Sequence, residues 1–178
     1  MSDKFKALEY SKKNFSNYQV ILQDFVKIHS ISTDSNRKKD MVQAAEFLQE
    51  QFLKHGISTT RIYETKGHPV LYAEKEATNE NAPTVLIYGH YDVQPVDPID
   101  LWKTDPFVAT EISERLFGRG ASDMKGQIIA SLGAFDAIYQ SGNIPVNFKF
   151  IIEGEEEIGS PNLSQFLEEH KELLTCDV

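Results

Sequence analysis

Residues Val85 to Tyr88 are apolar at successive positions, bounded by Pro83 and Gly89. A strand with one wet face alternates apolar and polar side chains, so an unbroken run predicts a central strand covered by helices on both faces. The flanking sequence supplies those helices. Upstream, Ile21, Leu22, Phe25 and Ile28 recur at helical spacing from Tyr18 onward, and Met41, Ala44, Ala45, Leu48 and Phe52 repeat the pattern before Gly56. Downstream, Ile128, Ile129, Leu132, Phe135 and Ile138 draw a third helix that closes at Gly142, and a further helical pattern runs from Leu163 to Leu174. Residues 58–64, 70–76 and 145–154 read as strands separated by turn signals, and 107–117 as a hairpin-like stretch. The order predicts an α/β fold, a layered helix-sheet-helix domain. In such a domain functional residues collect at loops beyond the strand ends.

The chain has 178 residues, about one domain's worth, and 40% of them are hydrophobic, enough to build a packed core. Lys and Arg number 18 against 27 Asp and Glu, a net charge of -9, which disfavours nucleic acid and anionic membrane surfaces as partners. The basic run Arg37, Lys38, Lys39 is too short for a nucleic-acid patch. With Cys176 as the single cysteine, no disulfide closes within the chain, and the first 20 residues contain no apolar signal region. Both readings lead to the expectation of a cytoplasmic protein. The last residues, Leu173 to Val178, read as a first step into another strand, so the expectation is a truncated domain.

Three segments carry chemistry: Gly89–Pro95, Gly118–Gly126 and Glu153–Ser160. His90 can offer one ring nitrogen to a metal while Asp92, two residues on, fixes the tautomer through the other. A lone His-x-Asp is equally a strand-end histidine with a chance neighbour. His29, His55, His68 and His170 lack such a partner and are assigned no ligand role; His55 reads as a charge at a helix C-terminus. Around Asp123, the small residues Gly118, Gly120 and Gly126 would let backbone pass close to a bound ion, while the simpler reading makes Ser122 or Asp123 an N-cap. A dinucleotide fingerprint is rejected, because Asp123 stands where its third glycine belongs. Glu153, Glu155, Glu156 and Glu157 crowd the end of an apolar strand, where like charges repel unless protons or cations neutralise them.

In this order the three segments resemble the co-catalytic zinc aminoacylase and carboxypeptidase superfamily, most closely its dipeptidase branch of carnosinase-like enzymes. Residues 101–107 and Gln127 share in the resemblance, which covers the whole chain. It implies His90 as a terminal ligand of one metal, Glu157 as a terminal ligand of the other and Asp123 as the bridge between them. Glu156 would be the general base and Asp92 would orient His90. The peptide bond from Asp123 to Met124 would be cis. The implied cofactor is a pair of Zn2+ ions, with Mn2+ or Co2+ as substitutes. The implied reaction is hydrolysis of dipeptides or short peptides by a water activated between them.

The resemblance also implies five metal-binding side chains, of which residues 1–178 offer three. On that reading they are the N-terminal portion of a catalytic domain without its lid and dimerisation domain, inactive alone and homodimeric as a full-length protein. Two other functions stay open: an N-acyl amino acid deacylase of the same superfamily, and a non-catalytic remnant or split half that binds a complementary chain.

Overall fold

The computed structural model describes residues 2–178. The Ser2 side chain accepts a hydrogen bond from the Phe5 amide and caps helix α1 (Asp3–Val26). Helix α2 (Lys38–Lys54) follows, then strands β1 (Thr59–Tyr63), β2 (Val70–Lys75) and β3 (Thr84–His90). A small hairpin of β4 (Thr110–Ile112) and β5 (Arg115–Phe117) precedes helix α3 (Lys125–Gln140), strand β6 (Asn147–Glu153) and helix α4 (Leu163–Glu169). Among the described residues no helix is long and apolar enough to cross a membrane.

The main sheet has the order β1-β2-β6-β3, antiparallel except between β3 and β6. Parallel neighbours need a long crossover, and α3 provides it. Because side chains alternate along a strand, Leu71, Ala73, Phe150 and Ile152 face one layer and Tyr72 and Ile151 the other. The first layer is thick: Phe25 of α1, Leu48 and Phe52 of α2, and Leu132 and Phe135 of α3 pack there. The second is thin, built from Phe166 of α4 and Leu174 against Val70, Tyr72 and Ile151. Each such aromatic or leucine contributes about 1.5–3 kcal/mol by leaving water. The expected helix-sheet-helix layering is therefore the observed architecture.

Three boundaries differ from expectation. β3 is not central: it is the edge strand of the four, with Tyr88 45% exposed and Val85 to Ile87 half-buried. The apolar run is covered in part on each face, Ile87 packing toward the thick layer and Leu86 toward the thin one, and such a run says nothing of which edges are paired. Beside that edge, the Leu86 amide donates to the Val178 carbonyl at 2.8 Å and the Val178 amide to the Thr84 carbonyl at 3.3 Å, so the last residues lie alongside β3 as the start of a further strand would. α1 starts some four turns before Tyr18, because its early residues Phe5, Leu8 and Phe15 are 47% to 60% exposed and carry no burial pattern. α4 ends at Glu169 rather than Leu174; Leu174 is reached by a further turn whose amide donates to the His170 carbonyl.

Candidate metal centre at the ends of β3 and β6

β3 and β6 run parallel with His90 opposite Glu153, so both strands deliver their last residues to one edge of the sheet. Beyond His90 the chain stays extended. Tyr91 and Val93 turn inward, Tyr91 donating through its hydroxyl to the Pro69 carbonyl (2.7 Å) and Val93 packing with Ile31 and Phe107. The alternate residues His90, Asp92 and Gln94 all reach the turn that follows β6, a short 3-10 segment from Glu156 to Ile158.

Asp92 is fully buried. Its two carboxylate oxygens accept the amides of Glu156 (3.2 Å) and Glu157 (3.1 Å), and Oδ1 lies 3.3 Å from His90 Nδ1. The Asp92 carbonyl lies 3.1 Å from the same nitrogen, so Nδ1 is surrounded by acceptors and carries the proton. Nε2 is left facing Asp123 Oδ1 at 3.1 Å and Glu156 Oε2 at 3.7 Å. Burial opposes charging of this imidazole, but the hydrogen bonds and charge of Asp92, with help from Glu156, outweigh it and push its pKa up to about 9.

The four glutamates divide into two kinds. Glu153 is buried and accepts from the Tyr88 hydroxyl (2.6 Å) and the Ser160 hydroxyl (2.8 Å); burial raises its pKa and those two bonds restrain the rise. Glu155 is buried too and accepts from Asn162 Nδ2 at 2.8 Å. Glu156 and Glu157 instead turn toward His90, and ligand-capable atoms of these three residues lie within 4.8 Å of one another. The Glu157 carboxylate accepts from Gln94 Nε2 at 2.8 Å.

Asp123 joins through His90, with its side chain 76% exposed and the following peptide bond to Met124 cis. The N-cap reading does not hold: Met124 occupies that position of α3, with no side-chain cap bond. The surrounding glycines have a reason other than an ion. A Cβ on Gly126 would drive into the Ala121 carbonyl oxygen, and Gly120 sits at φ +79° against Val93 and Lys125. Lys125, wholly buried, donates from Nζ to the carbonyls of Phe25 (3.0 Å) and Ile28 (2.7 Å), tying the start of α3 to the end of α1. Burial pulls its pKa down to about 7, where the neutral amine's two protons still match two carbonyls.

The other histidines lie elsewhere. His29 stacks on Phe107, His55 meets the Gln51 carbonyl at the end of α2, His68 meets the Ser32 carbonyl, and His170 packs against Tyr63 and Phe166. Sequence reasoning missed Gln94 and Lys125. The signal for Gln94 was present, since it extends the alternation of His90 and Asp92 by one step. For Lys125 there was none, because a lysine in the first turn of a helix ordinarily reads as solvated.

One imidazole nitrogen and several carboxylate oxygens converge, and among the described residues Asp123, Glu156 and Glu157 form no ion pair with a Lys or Arg. This donor set fits a divalent cation such as zinc, and a cation removes the repulsion among Asp123, Glu156 and Glu157.

Residues 86–177 match peptidase family M20/M25/M40. The human Beta-Ala-His dipeptidase is 48% identical over 107 residues, 58% of this chain and 20% of that protein. The crystal structure of human carnosine dipeptidase 1 superposes with a TM-score of 0.86 at 31% identity, covering 97% of this chain and 39% of the other. An M20 family metallo-carboxypeptidase from Sulfolobus solfataricus gives a TM-score of 0.82 at 43% identity, covering 90% of this chain and 36% of its own. The chain thus spans between a fifth and two-fifths of the length of these relatives.

Proposed function

Since the chain belongs to peptidase family M20/M25/M40, we propose that it serves metal-dependent hydrolysis of dipeptides or short peptides, with Zn2+ as the ion and Mn2+ or Co2+ as substitutes. The observation that carries this reading is the convergence of His90, Asp123, Glu156 and Glu157 from three separate segments. The names of the human and Sulfolobus relatives, a dipeptidase and a metallo-carboxypeptidase, point to the same reaction class. The proposal concerns the complete protein, to which these residues contribute three metal-binding side chains.

In the proposed roles His90, through Nε2, and Glu157 would each hold an ion, and Asp123, 3.1 Å from Nε2, would be the ligand shared between them. The bound ions supply Lewis acidity, polarising the scissile carbonyl and lowering the pKa of a water. The chain's own groups do the rest. Asp92 keeps the proton of His90 on Nδ1 and, through the amides of Glu156 and Glu157, holds both glutamates at the rim. The Glu156 carboxylate is 44% exposed and, among the described residues, accepts no hydrogen bond, with His90 Nε2 3.7 Å away. It is therefore free to accept a proton from the attacking water and return it to the leaving amine nitrogen, a role a ligand could not fill.

Replacing Glu156 by Gln in the complete enzyme should lower kcat by about 10^2- to 10^4-fold. Metal content, measured by atomic absorption, should stay unchanged. Loss of metal together with turnover would make Glu156 a ligand and remove the assigned base. Assaying dipeptides beside N-acetyl amino acids separates peptidase from deacylase activity.

A further inference from the structure

The Gln94 side chain makes two hydrogen bonds to one residue: Nε2 donates to the Glu157 carboxylate at 2.8 Å and to the Glu157 main-chain carbonyl at 3.2 Å. Asp92, two residues earlier, accepts the Glu157 amide at 3.1 Å. The same extended segment thus grips Glu157 at its amide, its carbonyl and its carboxylate. The neighbouring Glu156 has only its amide held in this way. From this asymmetry we infer that Gln94 is a positioning residue for the metal centre. It ties up Oε2 of Glu157, which would leave Oε1 for the ion, and so separates the ligand glutamate from the mobile one beside it.

This inference rests on the proposed metal-holding role of Glu157. A carboxylate free to rotate loses side-chain entropy when it binds an ion; one already held by an amide has lost part of it beforehand. Partners behind a metal ligand ordinarily change affinity by about 10- to 100-fold, and the exposure of Gln94 places it at the lower end. Because Gln94 is exposed, its replacement leaves the core intact.

Co2+ titration of the complete protein, followed by visible absorption, tests this without measuring turnover. Gln94→Met keeps length and packing but removes the donor; Gln94→Glu puts an acceptor against a carboxylate. Both should weaken Co2+ binding by about tenfold or more and alter the d–d absorption, while thermal unfolding without metal stays as in the wild type. Glu157→Gln should weaken binding at least as much. If Gln94→Met binds Co2+ like the wild type while Glu157→Gln does not, the inference is overturned and the ligand role of Glu157 survives. If Glu157→Gln also binds normally, or the unaltered complete protein binds no Co2+, the reading of the site falls and the inference with it.

Discussion

His90 owes its place to a buried partner rather than to an open cleft. Its pKa is raised from 6.5 to about 9, so it stabilises the metal-free fold fully below pH 6.5 and progressively less up to about pH 9. Lys125 has the opposite sign: held at about 7 against 10.5, it makes the fold gain stability as pH rises between those values. From pH 7 to 9 the two oppose each other, and the stability of the metal-free chain should vary little. In Asp92→Asn the imidazole loses the hydrogen bonds and charge that offset its burial, so its titration midpoint, followed by NMR, should fall to 6.5 or below. Urea unfolding of that variant should then show stability rising from pH 7 to 9. A midpoint still near 9 would mean that Asp92 is not the cause of the shift.

Among the elements, α3 shows how a helix can be placed by what it lacks. Alanine in place of glycine ordinarily stabilises a helix by about 0.5–1 kcal/mol. At Gly126 the added Cβ would strike the Ala121 carbonyl, a backbone atom that cannot step aside without moving the loop that carries Asp123. Gly126→Ala should therefore destabilise by about 1–3 kcal/mol in urea unfolding, reversing the usual sign. Nothing in the glycine spacing around Asp123 announced this, since room for an ion and room for a carbonyl select the same residue. The helices and strands themselves were legible wherever one face is buried, as in Met41 to Phe52 and Ile128 to Ile138. They were illegible where burial fades, as along the exposed start of α1. The edge position of β3 was hidden as well, because pairing partners leave no trace in a strand's own composition. Of the site, the three charged segments stood out as motifs, but their meeting depends on the parallel register of β3 and β6, and Gln94 on a hydrogen bond no spacing rule specifies.

At the scale of the whole molecule, the proposed ligands are one terminal side chain for each ion plus the shared Asp123, fewer than the three protein ligands usual for catalytic zinc. Equilibrium dialysis of the 178-residue chain should accordingly show weak zinc binding, and dipeptide assays of it no turnover. Tight stoichiometric zinc with robust hydrolysis would refute this. The parallel pairing of His90 with Glu153 has a further consequence, for how such a sequence can change over time. Side chains on a strand alternate, so losing or gaining one residue between Thr84 and His90 would turn His90 into the core and Tyr91 out toward the carboxylates. The apolar letters of β3 are open to exchange among themselves, whereas its length is not: the strand works as a ruler, and mutations that recount it are costlier than those that respell it.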